Sequence, residues 1–314
     1  MSRVVVTTAL PPGSLDPLHD AGHSVAVLES AADLSSAVAE ADALITLLTD
    51  TVDRDVLAAG AGRLSVVANV AAGYDNIDIA AAAALGITVC ATPGILDEST
   101  AELAFALALM ARRRTTDAEA TLRAGRWDGW AIDGFLGHDL LGATMGIVGW
   151  GRIGRAVARR ADAFGMDVVH TSRHPTGGPG YLADVDELFR TADVVSLHVP
   201  LTPSTRGLVS AERLRLMKPT AVLVNTARGA VVDEAALAEA LHDGVIFGAG
   251  LDVHADEPTV HPRLLDAPGA VLLPHVGSAT VRTRSAMART AATAVVDVLA
   301  GRPSAAIVPP QETP

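Results

Sequence analysis

The chain has 314 residues, of which 49% are hydrophobic and 19% are charged. This composition excludes an intrinsically disordered protein and leaves room for two domains, each with an apolar core. The formal net charge of -12 argues against binding of nucleic acid or an anionic membrane through a broad positive surface. The single cysteine, Cys90, cannot form a disulfide within the chain, and no signal-peptide or membrane-spanning pattern is evident, so we expect a cytoplasmic protein.

Short β-branched runs alternate with alanine-rich segments of helical periodicity along nearly the whole chain. This alternation is typical of parallel sheets covered by helices on both faces, which predicts an α/β fold with two doubly wound sheets. Predicted strands cover residues 4–8, 24–28, 43–47, 64–68 and 87–90 in a first series, and 146–149, 167–171, 194–198, 221–225, 247–251 and 271–274 in a second.

Two long helices are predicted outside these series. The first covers residues 98–122 between them and looks like a bridge between domains; the arginines at 112–114 are interpreted as a solvated helix end. The second covers residues 280–299 and precedes a proline-rich tail that has no sheet of its own. We therefore expect the chain to return to its first domain. The predicted domains are residues 1–98 with 283–314, and residues 99–282, joined by two crossovers that could act as a hinge.

Residues 149–154 read G-W-G-R-I-G and lie between a predicted strand and a predicted helix. In this setting a helix N-terminus and open backbone N–H groups point at a pyrophosphate, which predicts a dinucleotide site. Gly149 would permit the tight turn, Gly151 the approach of the phosphates, and Gly154 close packing of the helix on the strand.

The segment after the next strand bears on the choice of dinucleotide. An acid normally binds the ribose of NAD there, but this chain has Ser172, Arg173 and His174. Positive charge at this position suits the 2′-phosphate of NADP, so NADP(H) is predicted over NAD(H). The alternative is that Arg173 is an ordinary surface residue.

Three segments at later strand ends carry groups suited to 2-keto acid reduction. Such a reaction needs a cation for the carboxylate, a hydride donor and an acid that protonates the developing oxyanion. Arg228 can bind two oxygens, and His275 can donate a proton near neutral pH. Glu257 is expected to hydrogen-bond the imidazole and favour its charged form. Taken singly, each of the three also fits a structural role.

Together with residues 69–78, which read N-V-A-A-G-Y-D-N-I-D, these motifs closely resemble the signatures of D-isomer-specific 2-hydroxyacid dehydrogenases. Within that family the resemblance is closest to NADP-dependent glyoxylate/hydroxypyruvate reductases, and it covers essentially the full chain. It implies a Rossmann-type cofactor domain inserted into a flavodoxin-like substrate domain. It also implies the roles given above to Arg228, Glu257 and His275, with Arg228 and His275 contacting the substrate.

The resemblance implies further site residues. The backbone N–H groups of Val70, Ala71, Ala72 and Gly73 would bind the substrate carboxylate. Trp130 would enter the substrate pocket of the neighbouring subunit in a homodimer, or else pack locally at that interface. Additional cofactor contacts would come from Thr100, Arg152, Ile153, His198, Val199, Pro200, Thr205, Thr226, Ala227, Asp252 and Gly277.

Three alternative functions remain at this point. A phosphite dehydrogenase would carry a lysine where this chain has Ala72, and a phosphoglycerate dehydrogenase usually carries the acid that is missing after the second strand. A non-enzymatic, nucleotide-sensing protein related to corepressors could retain the same catalytic residues. No metal site is predicted, because the histidines lack ligand spacing.

Overall fold

The computed structural model describes residues 1–29, 34–175 and 177–308, and the chain divides into two compact units. Unit 1 comprises Met1–Leu96 and Ser278–Pro314, and unit 2 comprises Asp97–Gly277. Each unit has its own parallel sheet and its own aliphatic core on the two sheet faces. Within the described ranges, no helix is long and apolar enough to cross a bilayer.

Unit 1 contains a five-stranded parallel sheet. Its strands are β1 (Arg3–Val6), β2 (Ser24–Val27), β3 (Ala43–Thr46), β4 (Val66–Asn69) and β5 (Thr88–Cys90), in the order β2-β1-β3-β4-β5. The connecting helices are α1 (Asp16–Asp20), α2 (Leu34–Ala39), α3 (Arg54–Ala59) and α4 (Ile79–Ala84). This order is the flavodoxin-like arrangement, with a topological switch point between β1 and β3.

Unit 2 contains a six-stranded parallel sheet with helices around it. The helices are α5 (Asp97–Arg112), α6 (Thr115–Arg123), α7 (Arg152–Ala163), α8 (Val185–Thr191), α9 (Ala211–Leu216) and α10 (Glu234–His242). The strands are β6 (Thr144–Val148), β7 (Asp167–Thr171), β8 (Val194–Leu197), β9 (Val222–Asn225), β10 (Gly248–Leu251) and β11 (Ala270–Leu272), in the order β11-β10-β9-β8-β6-β7. Ligands of such sheets bind at the carboxyl edge near the switch point, here between β6 and β8.

The predicted fold class is confirmed. Every predicted strand is present, with its ends shifted by no more than two residues. The central strands β8, β9 and β10 are buried along their whole length, because helices cover both faces of the sheet.

The single helix predicted over residues 98–122 is wrong. Helix α5 ends at Arg112 and α6 begins at Thr115, because Arg114 between them has a left-handed φ of 51°, which an α-helix does not accommodate. The interpretation of the arginine triplet as solvated is also wrong for Arg112, which is only 5% exposed. Its guanidinium donates to the carbonyl oxygens of Asp139 at 2.7 Å and Thr220 at 3.0 Å.

The last helix, α11 (Val281–Leu299), belongs to unit 1. Thr280 caps its N-terminus, and its buried face, which includes Met287 and Ala291, packs in the core beside β1, β3 and β4. The chain then pairs with β5, since Val308 N–H donates to the Val89 carbonyl at 2.9 Å.

Candidate active site

The carboxyl ends of β9, β10 and β11 lie side by side in unit 2. Arg228 follows β9, Glu257 follows β10 and His275 follows β11. Parallel strands present their carboxyl ends at one edge of the sheet, so the topology delivers all three segments to the same edge.

His275 and Glu257 form a hydrogen-bonded pair. The distance from His275 Nδ1 to Glu257 Oε2 is 2.8 Å, and both side chains are partly exposed. A carboxylate accepts only, so Nδ1 carries the hydrogen and Nε2 is directed away from Glu257. The pair therefore presents one imidazole nitrogen as a proton donor or acceptor to a ligand.

The carboxylate of Glu257 has a second partner. Its Oε1 accepts from the backbone N–H of His254 at 3.0 Å. Burial raises the pKa of Glu257, but the hydrogen bonds from His275 and from His254 outweigh it, so the pKa lies below its usual range. Glu257 is thus held as a carboxylate facing the imidazole.

Asp252, at the end of β10, holds the backbone around His275. Its two carboxylate oxygens accept from Val276 N and Gly277 N, each at 2.7 Å, and its own carbonyl accepts from His275 N at 2.8 Å. Burial raises the pKa of Asp252, and the two backbone donors act in the opposite direction. These bonds fix His275 in a left-handed backbone conformation, with a φ of 54°.

Arg228 lies in a turn held by Asn225, which is 1% exposed. The Asn225 side chain donates to the Arg228 carbonyl at 2.9 Å and accepts from Ala227 N at 3.0 Å. A Cβ at the following residue, Gly229, would lie 1.9 Å from the carbonyl carbon of His254, so only glycine fits there. The Arg228 turn is therefore packed directly against the segment that carries Glu257.

The glycine-rich turn after β6 has the form that a pyrophosphate requires. Gly149 has a φ of 106°, and a Cβ there would lie 2.3 Å from the His198 carbonyl oxygen. A Cβ at Gly154 would lie 2.2 Å from the Gly149 carbonyl oxygen, whereas one at Gly151 would meet no atom within 4 Å. The open space at Gly151 lies at the N-terminus of α7. A phosphate group fits such a cradle, which a side chain would fill.

Positive side chains accompany this turn. Arg152, in the first turn of α7, pairs with Asp97 at 3.0 Å and is still mostly exposed. After β7, Ser172 Oγ donates to the His174 carbonyl at 2.6 Å, and Arg173 Nε lies 3.3 Å from His174 Nε2. The three residues predicted to select NADP thus form one exposed loop with basic side chains.

The other predicted cofactor contacts are also in unit 2 and mostly lie in loops at the same edge. Thr205 Oγ1 donates to the Pro200 carbonyl at 2.6 Å, and His198 Nε2 lies 2.8 Å from Ser196 Oγ. Thr226 Oγ1 is buried and has no hydrogen-bond partner within the described ranges. Thr100 is instead buried near the start of α5.

In unit 1, the predicted carboxylate-binding loop follows β4. Val70 N donates to the Thr46 carbonyl at 2.8 Å, so this N–H is already used within the fold. The N–H groups of Ala71, Ala72 and Gly73 have no acceptor among the residues that the structure describes. Asn69 fixes the loop by donating to the Gly73 carbonyl at 2.9 Å.

The model of the D-isomer specific 2-hydroxyacid dehydrogenase NAD binding domain matches residues 105–277, which is more than half of the chain. The chain belongs to the D-isomer specific 2-hydroxyacid dehydrogenase family. It is 48% identical over 261 residues to a glyoxylate reductase of Thermococcus litoralis, covering 80% of this chain and 78% of that protein.

Solved structures of similar proteins cover nearly the whole dehydrogenase. A protein of Thermus thermophilus superimposes with a TM-score of 0.92 at 46% identity, over 98% of this chain and 99% of that one. An NADPH-dependent glyoxylate/hydroxypyruvate reductase of Sinorhizobium meliloti, solved with NADP and malonate, gives a TM-score of 0.88 at 35% identity, over 98% and 97%. The resemblance to this family is confirmed, and the chain is an oxidoreductase with an NAD-binding domain that reduces keto acids.

Sequence reasoning missed the supporting side chains of this dehydrogenase. Asn225, Glu234 and His254 were not singled out for a role, although the side chain of each hydrogen-bonds the backbone of a segment that carries a predicted site residue. The sequence signal was limited to their places beside strand ends and a helix start, which many surface residues share.

Proposed function

We propose that this dehydrogenase reduces small 2-keto acids, glyoxylate and hydroxypyruvate, with NADP(H) as the preferred cofactor. The observation that carries the proposal is the His275–Glu257 hydrogen bond at the carboxyl edge of the sheet that also holds the glycine-rich turn. The Thermococcus litoralis relative is named a glyoxylate reductase, and the Sinorhizobium meliloti relative a glyoxylate/hydroxypyruvate reductase, which supports this substrate class.

The chemical roles follow from the side chains. Arg228 binds the substrate carboxylate and polarises the carbonyl, since its planar guanidinium can donate to two oxygens. His275 Nε2 gives its proton to the carbonyl oxygen as negative charge develops there, while Glu257 stabilises the imidazolium through Nδ1. The N–H groups of Ala71, Ala72 and Gly73 are proposed as carboxylate donors.

The residues of the glycine-rich turn would hold the cofactor. Gly149, Gly151 and Gly154 leave space for the pyrophosphate at the α7 N-terminus, and Arg152 adds positive charge there. When bound, the nicotinamide ring supplies the hydride. The product is the 2-hydroxy acid, formed in the D configuration where a stereocentre arises.

Steady-state NADPH oxidation with glyoxylate, hydroxypyruvate, pyruvate and phosphite tests this function. We expect turnover with the first two substrates, and a kcat at least about 100-fold lower in His275→Ala with cofactor affinity unchanged. His242→Ala, which changes a histidine on α10 that pairs with Asp266, is the control. Near wild-type kcat in His275→Ala would refute the acid role. Turnover of phosphite would instead indicate a phosphite dehydrogenase. NADPH binding without turnover of any substrate would instead indicate a non-enzymatic, nucleotide-sensing protein.

The NADP(H) preference rests on Arg173 and His174 in the exposed loop after β7. Arg173→Ala is expected to lower the ratio of kcat/KM for NADPH to that for NADH by about tenfold to a hundredfold, because a charge-assisted contact to the 2′-phosphate is lost. Arg190→Ala, an exposed arginine on α8, is the matched control. A wild type that prefers NADH, or an unchanged ratio in Arg173→Ala, would refute the proposed preference for NADP(H).

We also propose that the protein is a homodimer formed through residues 122–141 of unit 2. Of the large hydrophobic side chains exposed in the described ranges, half lie in this short segment, and Trp130 is 80% exposed. Clustered apolar exposure of this kind is typical of a protein interface. The exposed residues are Leu122, Trp127, Trp130, Ile132, Phe135, Leu136 and Leu141.

A further inference from the structure

A second carboxylate and imidazole lie buried beside the catalytic pair. Glu234, the first residue of α10, is 8% exposed, and His254 is 7% exposed. Glu234 Oε1 lies 3.8 Å from His254 Nδ1, which is too far for a hydrogen bond. The mechanism proposed above uses neither residue, and burying two such polar side chains is costly unless each is hydrogen-bonded, so their partners show what they stabilise.

Glu234 has a direct partner in the turn that carries Glu257. Its Oε1 accepts from the backbone N–H of Ala255 at 2.8 Å. The neighbouring N–H, that of His254, donates to Glu257 Oε1. Two consecutive backbone donors are therefore bound by two carboxylates, one from α10 and one from the catalytic pair. We refer to residues 254–257 as the glutamate turn.

His254 connects the glutamate turn to the segment that carries His275. Its Nε2 lies 3.1 Å from the carbonyl oxygen of Leu273, two residues before His275. A carbonyl only accepts, so Nε2 carries the hydrogen, and the ring bridges the ends of β10 and β11. Gly229, next to Arg228, packs against the same His254 peptide. His254, through its backbone and its ring together, thus contacts the segments of all three proposed catalytic residues.

We propose that Glu234 is a positioning residue of the reductase, which together with His254 fixes the glutamate turn so that Glu257 faces His275. The role assigned to Glu257 and His275 rests on the proposed function, whereas the contacts of Glu234 and His254 do not. Without the Glu234 carboxylate, the Ala255 N–H has no acceptor and the turn can shift. The His254 N–H then no longer points at Glu257 Oε1, and one of the bonds that lower the Glu257 pKa is weakened.

The test is the pKa of Glu257, followed through its side-chain carboxyl ¹³C resonance in the free protein. In Glu234→Ala we expect this pKa to rise above its wild-type value, because the His254 N–H bond to the charged form of Glu257 is weakened. The groups that act directly on Glu257 are His275, His254 and Asp252, and the proposal adds Glu234, which acts through its bond to Ala255 N. Glu257→Gln assigns the resonance.

Matched variants separate positioning from general destabilisation. Glu234→Gln keeps a carbonyl oxygen that can accept from Ala255 N, so it should preserve the wild-type titration of Glu257. Glu234→Asp keeps a negative charge at the start of α10, but its shorter side chain cannot reach Ala255 N. It should therefore shift the Glu257 titration as Glu234→Ala does, and it provides the test if the alanine variant folds poorly. Glu239→Ala, on the same helix with a side chain 67% exposed, should change nothing.

A kinetic readout completes the experiment. We expect kcat for keto acid reduction to fall about tenfold in Glu234→Ala, with a much smaller change in KM, because the acid pair is misplaced while Arg228 is retained. An unchanged Glu257 titration in both Glu234→Ala and Glu234→Asp, or an equal shift in Glu239→Ala, would overturn the proposal. The titration of Glu257 needs no substrate. A wild type without reductase activity would therefore refute the proposed function, while the titration would still test the role of Glu234.

Discussion

At the scale of single residues, the site depends on one buried carboxylate. His275 has a backbone conformation that costs free energy in any residue with a side chain, and in the described ranges only Arg114 and Phe135 share it among non-glycine residues. Asp252 offsets this cost by accepting from both residues that follow His275. The proposed proton donor is therefore held in place by backbone hydrogen bonds to Asp252 rather than by its own side chain.

Asp252→Asn tests this dependence. The variant replaces one acceptor oxygen by an amide group that faces a backbone N–H in a fully buried place, so we expect the free energy of unfolding to fall by about 2 kcal/mol and kcat to fall with it. Urea unfolding followed by tryptophan fluorescence measures the first effect in unit 2, which contains Trp127, Trp130 and Trp150. Asp243→Asn, an exposed residue after α10, should be neutral. Equal stability of the two variants would contradict the argument.

The sequence points to candidate reacting groups more readily than to the groups that hold their turns. Arg228, Glu257 and His275 stand out because keto acid reduction needs a cation, a carboxylate and a proton donor at neighbouring strand ends. Glu234 does not, since an acid in the first turn of a helix is explained by the helix dipole alone. Its contact with Ala255 depends on how α10 packs, and a local sequence pattern does not predict that packing.

At the scale of elements, the strands and the last helix were predictable, but the end of α5 was not. Buried parallel strands appear as continuous β-branched runs, such as residues 194–197, whatever surrounds them. The break between α5 and α6 has no proline or glycine to mark it. It lies beside Arg112, whose guanidinium and carbonyl both bond to the residue 138–139 segment of the chain. Such an end is set by tertiary contacts, so the sequence shows only an uninterrupted helical pattern.

Arg112 joins the last turn of α5 to the amino-terminal side of the unit 2 sheet. Arg112→Met would leave the carbonyl oxygens of Asp139 and Thr220 buried without their donor, so we expect a loss of about 2–4 kcal/mol in the free energy of unfolding. Arg113→Met, which changes the exposed neighbour, should stay within about 0.5 kcal/mol of the wild type. Chemical denaturation of both variants provides the comparison, and similar midpoints would show that Arg112 is not a structural residue.

At the scale of the whole molecule, the net charge and the location of individual charged residues give different information. The protein is acidic, with a net charge of -12, yet Arg152, Arg173 and Arg228 all follow strand ends at the carboxyl edge of the unit 2 sheet. The net charge thus excludes a broad basic surface but does not reveal a local one. An anionic cofactor and an anionic substrate need only the local charge.

The few aromatic residues make the dimer proposal testable. The chain has three Trp, two Tyr and five Phe, and Trp127, Trp130 and Phe135 all lie in the exposed segment 122–141. A sequence that fills its cores with aliphatic side chains has little reason to expose its scarce aromatic ones unless a partner covers them. We therefore expect the wild type to sediment as a dimer at micromolar concentration.

The combined variant Trp127→Ser, Ile132→Ser and Leu136→Ser should sediment as a monomer. Burying each of these side chains contributes about 1.5–3 kcal/mol, so removing three weakens association by more than about 1,000-fold. Leu265→Ser and Val281→Ser, both exposed outside the segment, should leave the dimer intact.

Trp130→Ala separates the two roles considered for that residue, because a pocket role raises the KM for hydroxypyruvate, whereas local packing weakens the dimer alone. A monomeric wild type would refute the interface, and with it any role of Trp130 in a neighbouring subunit.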